Sequence, residues 1–390
     1  GLSCGLQYYP GSQSEIRELF RLGEVLKRYD GVFACHLRSY SNTLPQAIDE
    51  VIQVSRQNGI NAQISHLFWI PNYGIFGPMM RSAFRKLTKL AKWWIPPLGL
   101  QRPLAQRMEQ ILGAKDTGAN VSVDVMPTTT GFTHLLAFFP PWALEGTRAD
   151  VVKRLHDPQE RKRMRNDIEH GKMRWPHTEP DSWSLNLFQL MGYECCRVMA
   201  VSSEKNKRYE GMSLVDIAQE RNIHPFNAAC DLLIEEDGHV LVFESMAEPD
   251  DILTEYTTMA PLKHPEVSIS TDTILMGMGK PSYLFYGCYP KFIGRYVRDK
   301  RLLSLETAIR KITSLPADHF RLKGRGRLEK GNFADVLVFD FDTIAMQGTF
   351  AEPDRPPAGI EHVFINGSHV VEKGKRVDTK THGRVLTRRG

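Results

Sequence analysis

Residues 14–66 alternate between two hydrophobic periods, and that alternation constrains the fold more than any other feature. In "SEIRELFRLGEVLKR", residues 14–28, Ile16, Leu19, Phe20, Leu22, Val25 and Leu26 recur near every 3.6 residues. This predicts a helix, with Ser14 as N-cap and Asp30-Gly31 as its stop. "GVFACH" follows as a short buried strand. Over 42–58 the helical period returns through Leu44, Ala47, Ile48, Val51 and Ile52, and Asn58-Gly59 closes it. "INAQISH" is the next strand. Helix–strand–helix–strand with short connections predicts a parallel α/β fold.

In such folds, ligand-binding residues sit at the C-terminal ends of strands. His36 and His66 both stand there, one strand–helix–strand unit apart. Neutral imidazole is a common zinc ligand, and catalytic zinc sites keep a position open. The competing reading is ordinary packing, since the chain has thirteen histidines and a lone His is usually a packed or surface residue. Two at matching strand ends balance the readings. "GANVSVDVMPTTT" runs through Asp124, "GHVLVFESM" is a further strand, and "HPEVSISTDT" ends at Asp272. An Asp past a strand often only caps a helix or forms a turn. Facing a metal, it could instead be a general base.

Composition narrows the function classes. A chain of 390 residues with 42% hydrophobic and 24% charged residues has room for one large domain and a small one, or for two or three ordinary ones. Its net charge of +5 does not suggest nucleic acid, and there is no P-loop, GxGxxG or zinc-finger spacing. Six cysteines without a CxxC predict reduced thiols and a cytoplasmic setting. No apolar run reaches the roughly 18 residues that suggest a membrane span. Beyond residue 323, strand-and-turn segments with Gly and Asn predict a small β domain.

The segments "GLSCGLQYYPG", "CHLRSY", "QISHL", "ISTD", "IGRYVRDKRLLSLETAIRKITSLPADHF" and "GRGRLEKGNFADVLVFD" together resemble the N-acyl-D-amino-acid deacylase branch of the amidohydrolase superfamily. The resemblance implies a (β/α)8 TIM-type barrel with a small β-sandwich domain. It divides the chain into a partial barrel over 1–322, with insertions near 70–105 and 128–205, and part of the β domain over 323–390. It also implies one or two zinc ions and metal-dependent hydrolysis of the amide bond of a small N-acyl-D-amino acid or related compound. His36 and His66 match the ligands of the fifth and sixth barrel strands, and Asp272 matches the catalytic Asp after the eighth. Tyr8 matches a tyrosine near the substrate and the forming oxyanion.

The departures from the family pattern carry their own expectations. The family's HxH pair and metal-binding Cys have no counterpart here, so an N-terminal portion with further barrel strands is expected outside this sequence. Cys35 does not replace them, because adjacent strand residues face opposite sides. Phe68 occupies a position where the family often has Lys, and "PSYLFYGCYP" at 281–290 replaces a segment that usually carries His-Pro-Arg. A substrate carboxylate would then lack its usual cations. Arg38 is the candidate substitute, weighed equally against an ion pair at the helix entry. A simple N-acetyl-D-amino acid is therefore not expected to be the best substrate. The basic, aromatic stretch 81–102 reads as a surface helix packing Phe84, Leu87, Leu90 and Trp94, in preference to a membrane-touching one. Alternatives are a cyclic-amide hydrolase of the dihydroorotase or hydantoinase kind, and a non-catalytic binding relative.

Overall fold

The computed structural model describes residues 1–90, 99–175, 183–245, 252–273, 279–349 and 351–386. Trp94, the side chain of Leu90 and the Gly- and Met-containing residues 274–278 lie outside them. The chain divides into two compact units. One holds Gly1–Val121, Thr128–Ala260 and Met276–Lys280, and the other holds Ser122–Pro127, Pro261–Leu275 and Pro281–Gly390.

In the first unit, strands β1 (Leu2–Gly5), β2 (Val32–His36) and β3 (Asn61–Ile64) run parallel, with Cys4 opposite Cys35 and Cys35 opposite Ile64. Helix α1 (Ile16–Arg28) links the first two strands, and α2 (Leu44–Asn58) links the second pair. The predicted alternation is thus present, with local differences. Ser14 does not cap α1, because its Oγ donates to the Gly11 carbonyl at 2.8 Å and accepts from Arg38, which leaves Glu15 at the N-cap. Leu19 and Leu26 are buried, whereas Leu22 and Val25 are 39% and 49% exposed. The apolar stripe of α1 is therefore narrower than its periodicity suggests. Close approach of α1 to α2 is the reason for Gly23: a Cβ there would lie 2.2 Å from Asn58 Nδ2. Helix α2 ends at Gly59 with φ 62°, where a residue without Cβ avoids the left-handed penalty.

The buried face of β2 carries Phe33 and Cys35, and α2 packs Ala47, Ile48, Val51 and Val54 into the same core, all fully buried. Truncating Ile48 to Ala would cost about 2–5 kcal/mol through lost burial and a residual cavity.

Helix α3 (Gly77–Leu90) begins the basic stretch. Arg81 is turned inward, its Nε donating to Glu194 at 3.3 Å and its Nη1 to the carbonyls of Gln189 and Leu190 at 3.3 and 3.2 Å. Phe84 and Leu87 are half-buried, and no helix among the described residues is long and apolar enough to cross a membrane.

Strand β4 (Asn120–Val125), whose residues from Ser122 onward belong to the second unit, pairs there in parallel with β8 (Val267–Ile269), Val123 opposite Val267. Between them in sequence lie β5 (Gly131–His134), β6 (Cys196–Ala200) and β7 (Leu241–Glu244), which belong to the first unit. They form a separate antiparallel sheet ordered β5-β7-β6. The "GHVLVFESM" strand is therefore not one of the parallel strands. The helices from Arg148 to Glu235 return the chain so that β7 enters between two antiparallel neighbours. The second unit ends in β9 (Val336–Phe339), β10 (Ile360–Ile365), β11 (Ser368–Glu372) and β12 (Lys375–Arg376), one antiparallel sheet ordered β12-β11-β10-β9. In the same unit Lys311, on the helix Leu305–Ile312, is fully buried, with Nζ donating to the carbonyls of Pro261 and Leu262.

Candidate active site

The ends of β1, β2 and β3 bring one cluster of side chains together. The ladder extends just beyond the strands. The Leu6 N–H donates to the His36 carbonyl at 3.0 Å, and the Ser65 N–H donates to the Cys35 carbonyl at 3.0 Å. These bonds fix where the chain leaves each strand, and so where Gln7, Tyr8 and His66 begin. His36 is the last residue of β2, with its side chain on the face opposite Cys35. His66 lies two residues beyond β3 rather than on it, at φ 39°. A non-glycine residue in this left-handed region costs free energy that the surroundings must impose, and such positions concentrate at functional sites.

The two imidazoles converge. His36 Nδ1 and His66 Nε2 are 2.9 Å apart, with ring centroids separated by 4.6 Å at an edge-on angle of 64°. Each ring has a second partner. His36 Nε2 is 2.8 Å from Gln7 Oε1, which can only accept, so that nitrogen carries the proton. His66 Nδ1 is 3.2 Å from the Tyr40 hydroxyl, which accepts the Leu37 N–H at 2.8 Å. Burial of His36, then the neighbouring His66, hold its pKa well below the ordinary imidazole range, because both disfavour a positive charge there. His36 is therefore a neutral ring with its Nδ1 lone pair aimed at His66.

This donor set fits half of a zinc site. With one ring handing its proton outward to Gln7 and the other able to hand its own to Tyr40, the two nitrogens that face each other are both free to present a lone pair. Two nitrogens on one tetrahedral zinc, each at about 2.0–2.1 Å, stand about 3.3–3.4 Å apart. The observed pair needs to open only by a few tenths of an ångström. Among the described residues no group of three or more His, Cys, Asp or Glu side chains is placed to hold a metal, so these residues provide two ligands and not a complete shell.

Tyr8 borders the pair, its ring centroid 4.7 Å from that of His36 and 5.3 Å from that of His134. Thr133 Oγ1 donates to the Tyr8 hydroxyl oxygen at 3.2 Å. The tyrosine's own proton is then directed elsewhere than Thr133. Burial lowers the pKa of His134 and keeps that wall of the site neutral.

Arg38 has a different role from that of a substrate anchor. It is fully buried, and its Nε and Nη2 reach Glu50 at 3.0 and 2.8 Å. Nη1 donates to the carbonyls of Gly11 and Ser12 at 3.2 and 2.9 Å, and Nη2 also donates to Ser14 Oγ at 3.2 Å. A guanidinium has five N–H donors, and all are spent within the chain. The helix-entry ion pair is the alternative that this geometry matches. Phe68 likewise has an internal partner: its ring stacks on Tyr40 at 4.0 Å and 8°, supporting the hydroxyl that meets His66.

Asp272 lies in the other unit, three residues beyond β8. It has φ 45°, so both it and His66 occupy the left-handed region. Gln7, Tyr40, Thr133 and His134 do not stand out in the sequence. Tyr40 carries a signal, four residues after His36 in "CHLRSY", but nothing in a linear pattern tells a hydroxyl beside a ligand from one in a core.

Residues 236–371 match the model of the amidohydrolase family. The chain is 26% identical, over 388 residues, to an N-acyl-D-glutamate deacylase of Alcaligenes xylosoxydans xylosoxydans. It is 25% identical over 389 residues to a D-aminoacylase of the same organism. Both matches cover 100% of this chain, which spans 61% of the length of each curated relative. The crystal structure of an N-acyl-D-glutamate deacylase from Bordetella bronchiseptica, complexed with zinc and a phosphonate mimic of the tetrahedral intermediate, superimposes with a TM-score of 0.65. It is 23% identical, and the match covers 95% of this chain and 59% of that one. The likeness in structure shows an amidohydrolase fold of mixed α/β content.

Proposed function

We propose that this chain, a relative of the N-acyl-D-amino-acid deacylases, is part of a zinc-dependent hydrolase that cleaves the amide bond of an N-acyl-D-amino acid or a related N-acyl compound. The observation that carries the reading is the convergence of His36 Nδ1 and His66 Nε2 at 2.9 Å, with Gln7 and Tyr40 behind them. Relatives matched along the whole chain are named for this chemistry, and the reading extends to a (β/α)8 barrel with a β-sandwich domain. We place it in the cytoplasm, which the six free cysteines support.

His36 and His66 would hold the metal. A bound zinc ion supplies Lewis acidity toward the scissile carbonyl and a lowered pKa for the attacking water. Gln7 and Tyr40 orient the rings and fix their tautomers, as partners of metal-binding histidines generally do. Tyr8, whose oxygen accepts from Thr133, donates its own proton to the oxygen of the former carbonyl as negative charge develops there. The family resemblance would give Asp272 the proton released by the attacking water, for return to the leaving nitrogen. Arg38 holds the loop Gly11–Ser14 to α2 and takes no part in binding the substrate.

The reading is tested by offering the full-length protein a panel of N-acyl-D- and N-acyl-L-amino acids and resolving the released amino acid by chiral chromatography. Release of the D-enantiomer alone is expected. Release from a cyclic imide or dihydropyrimidine and from no N-acyl compound would move the assignment to a cyclic-amide hydrolase. Binding without release from any of them would indicate the non-catalytic relative.

A further inference from the structure

A cavity of about 580 Å3 opens beside the cluster, in the first unit. This lies within the size range of small-molecule pockets. The end of the antiparallel sheet forms one side of it, because register aligns His134 of β5 with Leu241 of β7, and Leu241 with Ala200 of β6. Tyr9, Leu136, Leu144 and Val151 add further apolar surface. The chemistry of the lining is close to neutral. Burial holds His134 in its uncharged form. Among the described residues of the lining the one Lys or Arg is Arg148, which is met by Asp237 at 2.9 Å and by His239 Nε2 at 2.8 Å. A carboxylate entering here would have to compete with Asp237, whereas a hydrocarbon chain would meet Leu, Val and aromatic carbon.

The cavity also has a defined relation to the chemistry proposed above. His134, on its wall, is in ring contact with Tyr8, and Tyr8 is in ring contact with His36. Thr133, the preceding residue, holds the Tyr8 hydroxyl. A carbonyl whose oxygen faces Tyr8 can therefore direct the chain attached to its carbon past that ring toward Tyr9 and His134.

We propose that this cavity receives the apolar tail of the substrate's acyl group, so that the protein acts on N-acyl compounds carrying a medium or long hydrocarbon chain. The amide-hydrolase reading supplies the substrate on which this rests, and the cavity supplies the specificity. Each methylene that enters such a pocket adds about three- to fourfold in affinity until the space is filled.

The test uses full-length protein and the series N-acetyl-, N-butanoyl-, N-hexanoyl- and N-decanoyl-D-methionine. Binding is followed by calorimetry on zinc-depleted protein, and turnover on zinc-loaded protein. Affinity and kcat/KM are expected to rise with acyl length, and Leu144→Trp, which fills the cavity, is expected to flatten that rise. Leu144→Phe, a milder filling at a half-exposed position, gives an intermediate slope and serves if the larger variant misfolds. Two results would overturn the inference: a preference for acetyl, or a rise that both variants leave intact. Length-dependent binding without turnover would uphold the cavity and overturn the hydrolase reading. Turnover without length dependence would do the reverse.

Discussion

His36 Nδ1 lies 2.9 Å from His66 Nε2, and the two rings come from neighbouring parallel strands. Without a metal, one ring must donate to the other, which requires His66 to carry its proton on Nε2 and to accept from Tyr40 on Nδ1. With a metal on the proposed site, His66 would carry its proton on Nδ1 and donate it to the Tyr40 oxygen. Both arrangements use the same atoms, so the proposed exchange would need only proton movement and a slight opening of the pair.

The Tyr40 hydroxyl is the partner that makes this exchange possible, since it meets His66 Nδ1 at 3.2 Å and accepts from Leu37 at 2.8 Å. Tyr40→Phe is expected to weaken zinc binding by about 10- to 100-fold, the usual effect of losing a group behind a ligand. Competition against a chromophoric chelator on the full-length protein measures this. Unchanged affinity would mean that the Tyr40 hydroxyl does not support zinc binding through His66.

Arg38 and Glu50 form a buried, two-point ion pair, with side chains 0% and 6% exposed. Removing either partner leaves an uncompensated buried charge, at a cost of about 3–5 kcal/mol. Arg38→Ala and Glu50→Ala should each lower the urea midpoint strongly, and the double variant should lose much less than the sum of the two. Additive losses would show that the two side chains do not act as a pair.

How far the sequence discloses the fold differs from element to element. Helix α2 is legible because its period and Gly59 are local signals, and Gly59 sits at φ 62° as a C-cap requires. Ser14 misleads because its hydroxyl is claimed by Gly11 and Arg38, a contact made across the fold. His36 and His66 stand out through strand-end spacing. Gln7, Thr133 and His134 do not, because their partners arrive from distant segments. Arg38 can be read two ways until Glu50, on α2, is placed against it. Phe68 reads as the loss of a cation, whereas in the fold it supports Tyr40.

Lys311 gives the fold a pH signature. Burial lowers its pKa from 10.5 to about 7, although carbonyls of Pro261 and Leu262 receive its N–H groups. Between those values the unfolded chain holds a proton that the folded chain has released, so stability rises with pH across that window. The rise should amount to a few kcal/mol at most, since a tenfold change in proton affinity is worth about 1.4 kcal/mol. Lys311→Met should remove this slope, so that the variant compares best with the parent near pH 6 and worst near pH 10. Denaturant melts at both pH values check it, and parallel profiles for the two proteins would contradict it.

Zinc content of the full-length protein, measured by elemental analysis beside His36→Asn and His66→Asn, tests the central claim most directly. One tightly held zinc or more per chain is expected in the parent, with loss of at least one in each variant while the variants remain folded by circular dichroism. A parent protein with little zinc, or a zinc content that neither substitution changes, would contradict the assignment of these two histidines as metal ligands.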